Sequence, residues 1–361
     1  MGEWKPTKWG DIATLEYGKG LENYRRDDGA FPVYGTNGKI GTADKFLCAT
    51  EGIIIGRKGA YRGVHYSPVP FFVIDTAFYL KPTIDELDWK YAFYQLKTVD
   101  IDLMDSGSAI PSTSREDFYD IDIFLPPLPE QKAIAEVLSS LDNKIDLLHR
   151  QNNTLEFLAQ TLFRQWFIEQ AEDSWEIGVL PDEFDFTMGQ SPRGETFNEE
   201  GNGTIFYQGR TDFGFRFPEP RVFTVSPTRF AKKFDTLVSV RAPVGDMNMA
   251  IEDCSLGRGV ASFRYKRSPK YQSYTYYKMR SLMESIKQFE DNGTVFGSIG
   301  KEDFKKLENP IPSEHLVEEF QNIAHPLDEK IFENTRQIAN LEKIRDSLLP
   351  KLMSGTLTIR K

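Results

Sequence analysis

The sequence predicts an α+β fold built by tandem duplication: two β-rich globular units, each followed by a long helix, with the two helices pairing as a coiled coil. Three observations carry this expectation. Long stretches recur in the same register, a proline-led entrance precedes a long helical run, and both helical runs repeat apolar residues every 3.5 positions on average.

The duplication is read directly. "SREDFYDIDIFLPP" (residues 114–127) aligns with "GKEDFKKLENPIPS" (300–313), and "LDNKIDLLHRQNNTLE" (141–156) with "LDEKIFENTRQIANLE" (327–342). One constant offset relates Asp117 to Asp303 and Leu141 to Leu327, so the match has no gap. Upstream, "EGIIIGRKGAYRG" (51–63) aligns more loosely with "DTLVSVRAPVGDM" (235–247), setting Arg57 against Arg241 after an apolar β-type run. "LEYGKG" near the start and "FTMGQSP" from Phe186 each place a glycine after a mixed apolar run.

Prolines 126, 127 and 129 fix φ and withhold backbone donors, so an extended segment ends there and a helix begins near Glu130. Its apolar positions are Ile134, Leu138, Leu141, Ile145, Leu148, Leu155, Ala159, Leu162 and Trp166, with Asn152 in the missing slot. The second run gives Phe320, Ala324, Leu327, Ile331, Ile338, Leu341, Leu348 and Leu352, interrupted by Asn334 and Arg345. Alternating steps of four and three are a coiled-coil seam, and two such seams in one chain can satisfy each other. Pro326 predicts a kink or restart just before Leu327. From Leu141 to Ile168, about 28 residues at 1.5 Å each make a rod of roughly 40 Å, slightly more than one turn of B-DNA.

The 361 residues suffice for two cores, and 40% hydrophobic with 27% charged is ordinary for a globular protein. No apolar run approaches a membrane span and the N-terminus shows no signal-peptide pattern, so a cytoplasmic chain is expected. Cys48 and Cys254 stand apart, and the histidines at 65, 149, 315 and 325 form no ligand motif, so no metal is expected.

The net charge is −10, yet its distribution is uneven. Residues 30–81 hold six Lys or Arg against three Asp or Glu, and residues 204–287 hold fifteen against seven. Two basic, aromatic-rich patches on an acidic frame suit a two-site DNA reader. Segregation of surface charge by element type would give the same pattern.

Autonomous catalysis is not expected. "FLPPLP" lacks the polar first residue of an adenine-methyltransferase site, no P-loop occurs, and "PDEFDF" at Pro181 has no convincing Glu-x-Lys partner.

The duplicated architecture, "LPPLPEQKAIAEVLSSLDNKID", "SGSAIPSTSREDF", "IIIGRKG", "DTLVSVRAPVGD" and the closing "LLPKLMSGTLTI" resemble the DNA specificity subunit of type I restriction-modification systems over essentially the whole chain. The resemblance implies two β-rich target recognition domains joined by two long antiparallel helices with a pseudo-two-fold duplication. It also implies a bipartite, asymmetric site on double-stranded DNA, and docking of two methyltransferase subunits on the helices, with restriction and translocase subunits in the full complex. S-adenosylmethionine would then belong to the partner methyltransferase, with no cofactor on this chain. The expected divisions are residues 1–125 and 173–310 for the recognition domains, 126–172 for the central helix, and 311–361 for the distal helix and tail. "NPIPSEHLVEEF" replaces "PPLPEQKAIAEV" in the second copy, so the two docking faces need not be equivalent. The competing reading is a coiled-coil interaction scaffold without DNA specificity.

Candidate DNA contacts follow from side-chain chemistry, because Arg reads guanine, Asn or Gln reads adenine, and Lys grips phosphate. In the first copy they are Thr36, Asn37 and Lys39 of "YGTNGKIG", with Arg57, Lys58, Tyr61 and Arg62 of "GRKGAYRG". In the second they are Gln208, Arg210, Thr211, Asp212 and Arg216 of "YQGRTDFGFR", with Arg241. A further matched loop offers Ser108 and Ser112 against Thr294 and Ser298 as phosphate contacts. For each of these residues a structural turn is the competing role.

In an antiparallel pair related by a pseudo-two-fold axis, facing positions share one sum of residue numbers. The sum for Asn152 and Asn334 is also that for Leu148 and Ile338, so a single register sets amide against amide and apolar against apolar. Facing amides satisfy each other's donors and acceptors, and the expectation is an Asn152–Asn334 pair that fixes register.

Overall fold

The computed structural model describes residues 4–104, 110–241, 243–283, 285–286 and 298–359. Residues 1–147 with 338–361 form one compact unit, and residues 148–337 the other.

In the first unit a four-stranded antiparallel sheet orders Ala13–Tyr17, Ala77–Pro82, Gly52–Gly56 and Val64–Ser67. A three-stranded sheet pairs Phe31–Gly35 antiparallel with Gly38–Ala43 and parallel with Phe72–Val73. Lys5–Lys8 pairs with Asp122–Leu125, the strand that leads into the prolines. The second unit repeats the plan. Its four-stranded sheet orders Phe184–Met188, Val260–Tyr265, Thr236–Ser239 and Met247–Met249. Thr204–Tyr207 runs parallel to Cys254–Leu256 in a five-stranded sheet, and Glu176–Val179 pairs with Glu308–Ile311.

The motifs shared by the copies have the same structural tasks. The phenylalanine of each Glu-Asp-Phe is buried: Phe118 at 0% and Phe304 at 1% exposure. Ser114 caps the first of these short helices by accepting from the Asp117 N–H; in the second, Gly300 lacks a side chain and Asp303 accepts from its N–H at 2.8 Å. The glycines after the first strands, Gly18 and Gly189, lie against backbone, where a Cβ would come within 2.0 Å of Ile74 O and 2.1 Å of Gly257 O.

The central helix covers Leu128–Arg164 and ends in a π turn, Gln165–Glu169; the distal helix covers Glu314–Met353. Of the two outcomes expected at Pro326, a kink or a restart, the restart does not occur: the distal helix is continuous through it. Proline forfeits one backbone bond, while Phe320, Ala324 and Ile331 on either side are all fully buried and hold the helix in place.

Within each unit the two helices run antiparallel. In the first, Ile134, Ala135 and Leu138 share a cluster with Leu352 and Met353, against Tyr91 and Tyr94 of the short helix Trp89–Leu96. In the second, Phe163, Trp166 and Phe167 pack on Phe320 with ring centroids 5.4, 6.3 and 5.4 Å apart. Asn334 Nδ2 donates to Asn152 Oδ1 at 2.9 Å, both residues being buried.

The seam drifts beyond Asn152. Leu155, Leu162 and Trp166 are half-buried, whereas Glu156, Phe163 and Phe167 are buried. A straight helix drifts relative to a 3.5 repeat, and here the drift turns Phe163 and Phe167 toward Tyr274 and Tyr277 of the short helix Gln272–Ser281. The central helix therefore serves its domain core as well as its partner helix.

Candidate nucleic-acid interface

The candidate residues gather where the sheets of each unit end. In the first unit, Thr36 is the knot. Its hydroxyl lies 2.6 Å from Thr76 O and 2.7 Å from Lys58 O, and its carbonyl accepts from the Gly63 N–H at 3.2 Å. Arg57 is also held, donating to Asp75 O at 2.9 Å with its guanidinium 4.7 Å from the Tyr17 ring centroid. Thr36 and Arg57 thus shape the turn, and Asn37, Lys39, Lys58 and Tyr61 remain exposed on it.

Arg62 corrects the sequence reading. Its side chain is 1% exposed, donating through Nη2 to Asp102 O at 2.7 Å and pairing through Nε with Asp102 Oδ1 at 3.3 Å. Burial against a carboxylate 40 positions downstream withdraws it from any external ligand.

Ser112 forms a bridge with Lys58, and Ser298 forms the matching bridge with Arg241. Gly59 N donates to Pro111 O, Thr113 N to Arg57 O, and Ile299 N to Val240 O. These bonds make Lys58, not Arg57, the counterpart of Arg241. Aligning arginine with arginine slipped the pairing by one residue, which in a strand exchanges faces. Ser108 and Thr294 lie outside the described residues.

In the second unit Gln208, Arg210 and Thr211 are exposed. Arg210 Nε lies 2.7 Å from Asp246 Oδ2. Asp212 and Arg216 are not available as readers. Asp212 is 4% exposed, accepting from the Gln208 and Gly209 N–H groups and pairing with Arg221 Nη2 at 2.6 Å. Arg216 has a fully buried side chain, within 3.2 Å of Asp328, 2.7 Å of the Tyr277 hydroxyl and 3.8 Å of the Tyr276 ring centroid. Burial by itself would lower its pKa, but its neighbours, Asp328 and Glu156 among them, raise it above the ordinary value, so it stays charged.

Arg258 escaped the sequence reading. It is exposed in the turn 257–259, whose glycines lie against the Gln208 backbone and whose Gly259 carbonyl accepts from Val240 N–H. It therefore stands between Gln208 and Arg241. The signal was "GRG", a basic residue between two glycines like the "GRKG" of the first copy.

Each unit thus presents exposed amides and cations on a framework of satisfied turns. Such donors suit phosphate oxygens and base edges.

A family model for the type I restriction modification DNA specificity domain matches residues 1–157 and 172–343. The putative MjaX specificity subunit of Methanocaldococcus jannaschii is 31% identical over 65% of this chain and 59% of its own length. The MjaVIII specificity subunit of the same organism is 24% identical, covering 99% of this chain and 94% of its own. The crystal structure of a type I restriction-modification S subunit from M. genitalium superposes with a TM-score of 0.70 at 20% identity, covering 97% of this chain and 96% of that one, which shows a shared fold. The repeated sheets, the paired helices and a family match to both halves lead to one assignment: the chain belongs to the type I restriction-modification DNA specificity family.

Proposed function

We propose that the chain is the DNA-reading subunit of a type I restriction-modification complex, recognising a bipartite, asymmetric site on double-stranded DNA with one half-site per β-rich unit. The observation that carries this is the repeated edge, in which the backbone of an exposed basic residue, Lys58 or Arg241, forms an isolated antiparallel β-bridge with that of a serine, Ser112 or Ser298, at the equivalent place in each sheet framework. Differences around these edges supply the asymmetry: Asn37, Lys39 and Tyr61 in one copy, and Gln208, Arg210, Thr211 and Arg258 in the other.

On this reading the two long helices set the half-site spacing and dock two methyltransferase subunits. Those partners would carry S-adenosylmethionine and perform the chemistry, with restriction subunits joining the full complex, and this chain would contribute recognition alone. No helix among the described residues is long and apolar enough to cross a membrane.

The test is a shift assay with and without the partner methyltransferase, first on random DNA and then on the sequences selected from it. The expected result is enrichment of two short conserved blocks separated by a fixed unspecified spacer. Retention of the methyltransferase without any DNA selection would leave a protein-binding scaffold instead.

A further inference from the structure

The second unit contains an arginine that sits on a recognition loop yet points into the protein. We infer that Arg216 is a positioning residue, which ties the loop 208–216 to the long-helix pair and thereby sets how selectively that loop reads its half-site. The inference rests on the DNA-reading role proposed above.

The geometry runs without a break from helix to loop tip. At the foot, the Arg216 guanidinium is 3.2 Å from Asp328 on the distal helix and 3.8 Å from Glu156 on the central helix. Glu156 is also paired with Arg280, so two cations meet two carboxylates. One turn up, the Arg216 carbonyl accepts from Met249 N–H at 2.8 Å, and the Asn248 amide clamps Gly214 through both its N–H and its carbonyl, each at 3.0 Å. At the top, buried Asp212 holds the backbone N–H groups of Gln208 and Gly209 at 2.6 and 3.3 Å. The exposed Gln208, Arg210 and Thr211 therefore stand on a column whose base is the helix pair.

A helix junction does not require this arrangement. In the first copy the equivalent carboxylate, Asp142, accepts from the equivalent tyrosine, Tyr94, and draws its cation, Arg345, from the distal helix itself. The second copy takes its cation from the loop, and the planar guanidinium fork fixes direction as well as charge.

The experiment uses the full chain with its partner methyltransferase and duplexes altered in one half-site at a time, titrated over a range of salt. Arg216→Lys is expected to cut discrimination at the half-site of the second unit by roughly 10-fold, the order of one base-pair mismatch. Discrimination at the other half-site and the salt slope of binding should match the parent, since the fully buried Arg216 side chain is out of reach of an external phosphate. Tyr277→Phe keeps the ring and removes the hydroxyl that accepts from Arg216 and donates to Asp328; it should shift the same half-site in the same direction by less, and it keeps the test open if Arg216→Lys does not fold. A salt slope reduced by about one phosphate contact, equal losses at both half-sites, or unchanged discrimination in Tyr277→Phe would each overturn the inference. Failure of the parent chain to discriminate either half-site would instead sink the DNA-reading role.

Discussion

Two junctions between a long helix and its β-rich unit can be compared residue by residue, because duplication gave them the same parts. In each, an aspartate of the Leu-Asp-x-Lys-Ile motif accepts from a tyrosine of a short helix: Tyr94 to Asp142 at 2.6 Å, and Tyr277 to Asp328 at 3.2 Å. In each, a buried glutamine on the long helix pins the start of that short helix. Gln131 accepts from Asp88 N–H while donating to the Pro126 and Glu86 carbonyls; Gln321, one turn further along, accepts from the Ser273 and Tyr274 N–H groups. The cation is where they part. Asp142 and Arg345 are 34% and 28% exposed, while Asp328 and Arg216 are 6% and 0% exposed. Roles that satisfy backbone at a helix start persisted even where the residue moved. The source of the countercharge diverged, and with it the energetic weight of the pair.

That contrast sets the largest expected effect. Asp328→Ala leaves two cations, Arg216 and Arg280, to share the single carboxylate of Glu156 beside a fully buried guanidinium, and should destabilise the second unit by about 3–5 kcal/mol. Asp142→Ala removes a half-exposed ion pair together with the acceptor of the Tyr94 hydroxyl, and should cost the first unit less, about 1–2 kcal/mol. Denaturation of both variants, followed by probes in each unit, decides it; equal losses would mean that burial is not what separates the junctions.

The register pair comes next. Asn152→Leu or Asn334→Leu alone leaves the surviving amide buried without its partner and should cost about 1–3 kcal/mol. The double replacement should cost less than the sum of the two, a non-additivity readable in a mutant cycle. Additive losses would show that the 2.9 Å bond contributes nothing beyond its parts.

Smaller still are the glutamine pins. Gln131→Ala and Gln321→Ala should each cost about 1 kcal/mol, confined to the unit that holds the residue, with faster amide exchange at Asp88 in one and at Ser273 and Tyr274 in the other. Exchange that rises in both units at once would refute that separation.

The slightest effect is kinetic. Burial pushes the Cys48 and Cys254 thiols up to about 12, so both should resist alkylation near pH 8 in the native protein. Cys48 is half-buried and Cys254 fully buried, so Cys48 should react first as denaturant is raised. The reverse order would place the weaker packing in the second unit.

Much of this was legible from sequence. Short-range rules set it: prolines end a strand, a 3.5 repeat defines a seam, and a duplication with one constant offset implies one constant sum for facing residues, which set Asn152 against Asn334. At Pro326, where the same rules predict a kink or a restart, the helix Glu314–Met353 runs on without a restart, because packing on both sides outweighs one missing bond.

The fate of the arginines was not legible in this way. Arg57, Arg62, Arg216 and Arg241 look alike in glycine-rich turns, yet Arg57 lies on an aromatic ring, Arg62 and Arg216 are buried, and Arg241 is exposed. What separates them is a long-range partner: Asp102 for Arg62, and Asp328 together with Glu156 for Arg216. Periodicity and turn chemistry are local, so the sequence by itself determined the duplication, the helices and their register. Whether a cation faces solvent depends on which carboxylate the folded chain brings within about 4 Å, where desolvation is offset by pairing, and only the tertiary structure decided that.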